Sequence, residues 1–305
     1  MKTSFLKKLS SYKLLLLMLL PAVLYFTVFS YLPMAGIIVA FKRYDYRGGI
    51  FGSPWIGFDN FKFLFINGGI LNVARNTVLY NAAFILINNS IQILMAIMLT
   101  ELGGKVFKKI SQTVMFLPYF ISWVVVGTFV YNIFGYEYGF LNNFLTSLGM
   151  EPVNVYDKPV AWVLIILFFC FWKSIGYGSV MYLAAIAGID REIYEAADID
   201  GCNILQRIVH ITLPSLIPTV IILVLLSIGN IFRGDFSMFY QIVGQNSLVY
   251  SHTDVIDTFV TRSLMETKEF GMTSAAGLIQ SILCFLIINL ANLTVRKFDK
   301  GYALY

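Results

Sequence analysis

The sequence predicts an all-α membrane protein with six transmembrane helices, and three observations lead there. Of its 305 residues 58% are hydrophobic and only 13% are charged, with a mean hydropathy of +0.75. A soluble globule does not carry that balance. Long apolar segments recur along the chain, each sufficient to cross a bilayer at about 1.5 Å per residue. Between two of them, at about residues 189–215, a polar stretch carries helix caps and breakers in an order that builds a docking device. The net charge of +5 does not signal nucleic acid, because the basic residues cluster in short segments beside apolar spans, where they act as topology signals.

Taken in order, residues 1–13 carry Lys2, Lys7, Lys8 and Lys13 and are expected to be cytoplasmic. Leu14 to Ala40 is almost wholly apolar. Its run of about 27 residues exceeds the 7–15 of a signal-peptide core, so it reads as the first membrane helix. An external loop from Tyr44 to Gly69 follows, rich in glycine and aromatic residues, with Trp55-Ile56-Gly57-Phe58-Asp59-Asn60-Phe61 at its centre. An interfacial aromatic belt accounts for such a run on composition alone.

The second helix is expected from about Asn72 to Leu99. Its amides Asn76, Asn81, Asn88, Asn89 and Gln92 must face neighbouring helices or a polar path, since unpaired amides in lipid are costly. A basic turn, Glu101 to Lys109, lies inside. Gly103-Gly104-Lys105 is not a phosphate loop: the first glycine is missing and Val106 stands where Ser or Thr must hold magnesium. The third helix runs from about Ile110 to Phe134 with a kink at Pro118. After an external stretch from Gly135 to Lys158, the fourth spans about Val160 to Gly188. It carries Lys173 in its middle third, an expensive residue in lipid. Two readings stand for it: a group bordering a transport path, or a lysine satisfied by tyrosines or by a carbonyl of a partner helix.

In the docking stretch, Asp190, Arg191 and Glu192 start a helix, with acids favourable at the positive end of its dipole. Ile193, Ala196 and Ala197 are expected on one flat face. Gly201 supplies a left-handed stop. Asn203 caps a second, amphipathic helix in which Ile204, Leu205, Ile208, Val209 and Ile211 form the apolar stripe, and Pro214 and Pro218 mark the turn into the next span. The fifth helix runs from about Ile217 to Phe232. It is followed by Arg233-Gly234-Asp235-Phe236 and an external segment with Asp254, Asp257 and Arg262. The sixth spans about Ala275 to Val295, and Arg296, Lys297 and Lys300 hold the tail, residues 296–305, inside. Six spans across residues 14–295 place both termini and the docking stretch on one side. Most of the 22 basic residues fall in the short inside segments, although Lys42, Arg43 and Arg47 fall outside.

The spacing Glu-Ala-Ala, three residues, Gly, nine residues, Ile, one residue, Leu-Pro is met at Glu195, Ala196, Ala197, Gly201, Ile211, Leu213 and Pro214 without a departure. On these residues the chain resembles the permease subunits of type I ABC importers fed by a binding protein. The run from Gly229 through Arg233, Asp235 and Tyr240 extends the likeness, as do Thr253-Asp254-Val255-Ile256-Asp257-Thr258, Ser274-Ala275-Ala276-Gly277 and Tyr31-Leu32-Pro33-Met34-Ala35-Gly36. These are similar to a narrower branch, the Gram-positive permeases for complex oligosaccharides and polysaccharide fragments. Sugar permeases of the family have a stretch similar to Trp55–Phe61.

The resemblance implies that Glu195, Ala196, Ala197, Asp198, Gly201, Ile211, Leu213 and Pro214 couple to a cytoplasmic ATPase, with the first docking helix seated in its cleft. It implies a second permease chain, an ATPase dimer that carries ATP and magnesium, an extracellular substrate-binding lipoprotein, and a Gram-positive plasma membrane. This chain itself is expected to bind no cofactor and to catalyse no covalent step. Asn88, Asn89, Lys173, Arg233, Asp235 and Tyr240 are the candidates for the sugar path, since a hydrated oligosaccharide needs hydrogen-bonding and aromatic walls. For Arg233 and Asp235 the alternative is a local ion pair at the membrane boundary. No convergent acid, base, nucleophile or metal set suggests an enzyme. Cys170, Cys202 and Cys284 form no disulfide or zinc pattern, and His210 and His252 stand apart. A secondary transporter or channel independent of ATP is the rival reading. It requires membrane-embedded ionisable groups, of which Lys173 is the clear one.

Overall fold

The structure is a computed structural model that describes residues 12–66 and 69–305; the early lysines Lys2, Lys7 and Lys8 lie outside the described residues. The described chain is helical, with an isolated antiparallel bridge between Lys42 and Trp55. Among the described residues five helices are long and apolar enough to cross a membrane, and a bent pair makes a sixth span when taken as one. The chain divides into two compact units, Met1–Asn67 with Ser263–Ile279, and Gly68–Arg262 with Gln280–Tyr305.

In the first unit α1 (Lys13–Phe41) leaves the whole of its most apolar window exposed, as a lipid- or partner-facing helix does. Its end is clamped by the aromatic loop. Asn60, on α2 (Asp59–Ile66), donates its amide to the carbonyls of Ala40 and Lys42 at 2.9 and 3.0 Å. Lys42 is buried, donates to the carbonyls of Ile50 and Phe51, and lies 5.0 Å from the Trp55 ring. Phe41, Phe58 and Phe61 pack as a ring cluster. The Trp55–Phe61 stretch therefore does more than line an interface: it closes the carbonyl end of the first span.

The second unit holds α3 (Gly69–Glu101), α4 (Lys105–Phe120), α5 (Trp123–Phe134), α6 (Phe140–Ser147), α7 (Pro159–Ala187), α8 (Arg191–Ile199), α9 (Ile204–Ile228) and α10 (Phe236–Val243). To these are added parts of α11 (Ile256–Thr267) and α12 (Phe270–Phe298). Trp162, Ile166, Val126, Val130, Met238 and Phe239 form the main core between α7, α5 and α10. A smaller cluster of Ala96, Ile97, Tyr182, Ile186 and Leu216 joins α3, α7 and α9. The close approach of α7 to α4 depends on Gly176, where a Cβ would overlap the Met115 carbonyl.

Two expectations are corrected here. The third span is not one kinked helix: α4 and α5 are separated at Ile121–Ser122 and bent by 91°. Pro118 removes a backbone donor, Ile121 turns extended, and Ser122 restarts the chain by accepting from Val125 N at 3.4 Å. The amphipathic docking helix and the fifth span are not separated by a proline turn either. They are the single helix α9, which contains a π-helical turn at Ile208–Thr212. That wider turn admits Pro214 just beyond it without breaking the helix. The stretch expected to be external, 135–158, holds α6, whose buried Asn142 ties Tyr136 and Val153 together.

Candidate functional site

The docking turn is capped at each of its ends. Asp190 accepts from Glu192 N at 3.0 Å and starts α8. At the other end Gly201, with φ of +75°, places its N–H 3.2 Å from the Asp198 carbonyl, while Cys202 N reaches the Ala197 carbonyl at 2.9 Å. This paired closure requires the left-handed conformation that glycine adopts without strain. Asn203 and Gln206 then bond reciprocally, at 2.9 and 2.8 Å, and start α9.

Two side-chain ties hold α8 against the body. Tyr194 Oη meets Thr212 Oγ1 at 2.9 Å, and Arg207 Nη1 donates to Asp198 Oδ1 at 2.6 Å. The predicted flat alanine face is divided: Ala197 is buried against the protein and Ala196 is exposed. Ile193, Ala196 and Ala197 lie within about 100° of arc, the width of one helical stripe, and it is the packing of α8 on the body that turns Ala197 inward. The outer face consists instead of Ile193, Ala196 and Ile199 at helical spacing, with Glu195 beside them, and Ile199 is 87% exposed. Ile211 is half-buried, whereas Leu213 and Pro214 are exposed along α9.

The other predicted residues gather at two neighbouring clefts. The larger, of about 800 Å³, is bordered by Lys173, Arg233 and Asp235 with Asn81, Phe84, Trp123 and Ser174. The smaller, of about 480 Å³, is bordered by Asn88, Asn89, Gln92 and Tyr177, and shares Asn81 and Phe84 with the first. Tyr240 borders neither; it stacks on Phe236 with ring centres 5.1 Å apart.

Charge in the larger cleft follows from the break between α4 and α5. Lys173 Nζ donates to the Tyr119 carbonyl at 2.5 Å and lies 5.4 and 5.3 Å from the rings of Tyr119 and Trp123. It thus sits at the carbonyl end of α4, where a cation opposes the helix dipole. Asp235 accepts from Trp123 Nε1 at 3.1 Å, at the start of α5, and from Met238 N at 3.0 Å, where it caps α10. The alternative for Arg233 and Asp235, an ion pair between them, does not occur among the described residues. Asp235 is held by hydrogen bonds instead. Arg233 is positioned through its backbone, since its carbonyl accepts from Asn81 at 2.9 Å. Gln280 holds the Phe232 carbonyl and Asp257 accepts from Gly234 N, so that the whole Ile231–Gly234 turn is pinned. The guanidinium of Arg233 is left exposed at the cleft.

The five amides of α3 singled out in the sequence, Asn76, Asn81, Asn88, Asn89 and Gln92, are all engaged. Asn76 holds the Ser251 and Asp254 carbonyls, Ser174 donates to Asn88, and Tyr182 donates to Asn89. Beyond them the buried Asp254 pairs with the half-buried Arg262, which lies over the Tyr250 ring at 4.2 Å. Burial alone would depress the Arg262 pKa, but the Asp254 carboxylate more than offsets it and carries it above the ordinary value. No cluster of metal-ligating residues occurs among the described residues, and the cysteines are unpaired.

Comparison with known proteins matches residues 92–300 to the family described as the binding-protein-dependent transport system inner membrane component. Protein LplB of Bacillus subtilis (strain 168) is 34% identical over 288 residues, covering 94% of this chain and 90% of that protein. The polygalacturonan/rhamnogalacturonan transport system permease protein YteP of the same organism is 31% identical over 293 residues, covering 96% and 91%. A crystal structure of a bacterial ABC transporter involved in the import of the acidic polysaccharide alginate contains a chain 32% identical to this one. It superposes with a TM-score of 0.87, over 97% of this chain and all of that one.

Proposed function

Since this chain belongs to the family of binding-protein-dependent transport system inner membrane components, we propose that it forms half of the membrane pathway of an ATP-driven oligosaccharide importer. Its partners in this reading are a second permease chain, a cytoplasmic ATPase dimer that binds ATP and magnesium, and an extracellular binding lipoprotein. The setting is the plasma membrane of a Gram-positive bacterium, with both termini and the docking turn on the cytoplasmic side. The observation that carries the reading is the docking turn. A short helix closed at both ends, fastened to α9 and presenting Ile193, Ala196, Ile199 and Glu195 outward, suits an apolar cleft with a basic group at its rim.

The work of the chain is alternating access. ATPase closure displaces α8, the helices joined to it follow, and the clefts beside Asn88, Asn89, Lys173, Arg233 and Asp235 open to one side or the other. A saccharide suits those walls, which mix amides with the Phe84, Trp123 and Tyr177 rings. Acidic saccharides are favoured by the exposed Arg233 guanidinium, in keeping with the alginate transporter that this chain resembles. Lys173 is held by a helix end, which gives it a structural part and removes the group on which a gradient-driven carrier would rest.

Purification of the assembly from its native membrane followed by uptake into proteoliposomes tests this. A co-purifying ATPase and second permease, with uptake that requires ATP, is the expected result. Uptake that collapses with the ion gradient and ignores ATP overturns it.

A further inference from the structure

Asp198 and Arg207 of the docking turn meet a third charged residue, Glu101, that the turn itself does not contain. Glu101 is the last residue of α3, and Asp198 lies in the last turn of α8. Both are acids at the negative end of a helix dipole, where cations are favoured, and neither helix carries a basic residue in its own last turn. The cation they lack is Arg207, in the first turn of α9. Its Nη1 lies 2.6 Å from Asp198 Oδ1 and its Nη2 lies 3.6 Å from Glu101 Oε2. The Arg207 side chain is only 20% exposed, and its Nε is buried without a hydrogen-bond partner among the described residues. A guanidinium so withdrawn from water persists where the charges around it hold it in place.

We infer that Arg207 is the joint that transmits movement of α8 to α3, by serving as the shared counter-ion of the two helix ends. This rests on the permease reading of the docking turn and adds the route by which its displacement reaches the substrate path. The forked guanidinium holds two acids in a fixed relation, which a flexible point charge does not. From Glu101 the same continuous helix runs to Gln92, Asn89, Asn88, Phe84 and Asn81, which border the clefts. A push on α8 is therefore delivered to α3 as well as to α9, which α8 reaches separately through Tyr194 and Thr212.

The test uses the complete transporter in proteoliposomes, with saccharide imported per ATP hydrolysed as the readout and assembly checked by co-purification. Glu101→Gln is the decisive variant, because it removes the tie to α3 and leaves the Asp198–Arg207 pair. It is expected to lower transport per ATP roughly fivefold while hydrolysis persists, and Arg207→Gln to lower it more, with Arg207→Lys between Arg207→Gln and the wild type. Wild-type stoichiometry in Glu101→Gln, whatever Arg207→Gln does, overturns the joint and leaves Arg207 as a fastening for α8 alone. Should the unaltered transporter show no ATP-dependent import, the permease reading itself fails, a result distinguishable from the failure of this inference.

Discussion

Around Gly201 each backbone cap is made by a partner two to five residues away: Asp190 with Glu192, Cys202 with Ala197, Asn203 with Gln206. In the cleft the comparable bonds join residues 54 positions apart at Lys173 and Tyr119, 112 at Trp123 and Asp235, and 152 at Asn81 and Arg233. The difference is mechanical. A turn closed by local bonds keeps its shape when it moves, because no bond in its caps reaches another helix. A cleft closed by bonds between helices cannot change its opening without lengthening or exchanging some of them. The docking turn is built to be pushed as a unit, and the cleft is built to rearrange.

The sharpest way to break that comparison is at Gly201. Gly201→Val forces a branched side chain into a left-handed conformation, at a strain of about 1–2 kcal/mol, and is expected to lower transport more than tenfold with the protein still inserted in the membrane. No atom stands within 4 Å of a Cβ there, so the strain is purely backbone. Gly201→Asn, which tolerates that conformation, should keep most activity. Wild-type transport by the valine variant would show that the cap does not hold α8.

In the cleft the largest effect is expected at Lys173. Lys173→Met leaves the Tyr119 carbonyl and the negative end of α4 without their donor, which should lower stability by about 1–3 kcal/mol in thermal unfolding of the detergent-solubilised protein. An unchanged transition would mean that the helix break stands without its cation. Glu195→Ala sharpens the comparison from the other side. It removes an exposed acid that touches nothing essential to the turn, so folding should be unaffected while uptake drops roughly fivefold. Normal uptake with normal ATPase association would remove Glu195 from the docking contact. The smallest effect is reserved for Asn203→Ala, where loss of the capping box is expected to cost about 1 kcal/mol and to reduce transport about twofold. A loss as large as that of Gly201→Val would show that the turn is not locally closed.

Legibility in the sequence followed the same division. Apolar runs identified where the spans lie, because a helix in lipid satisfies its own backbone and needs only length and hydropathy. They missed the break in the third span and the 13 residues, Ile204 against Ile217, by which α9 precedes the expected start of the fifth. The caps Asp190, Gly201 and Asn203 were legible because their chemistry acts over one turn. Ala197 turned inward, and Ile199 proved to belong to the outer face, because the angular position of a face is set by the body it packs on. The clamp of Asn60 on the end of α1 was present in the Trp55–Phe61 stretch, but the carbonyls it holds are 18 and 20 residues away, beyond local reading.

By itself the sequence determined the class of the molecule, its long helices and the capped turn at about residues 189–215. Each depends on composition or on bonds that close within one helical turn. Tertiary structure alone decided that the span containing Pro118 would break by 91°, that α9 would pass through Pro214 unbroken, and that Lys173 would serve a helix end. It alone placed Glu101 and Asp198 on one guanidinium. These are outcomes of competition between distant groups for the same donor or the same space, and such a competition is settled only when the helices that carry them are packed together.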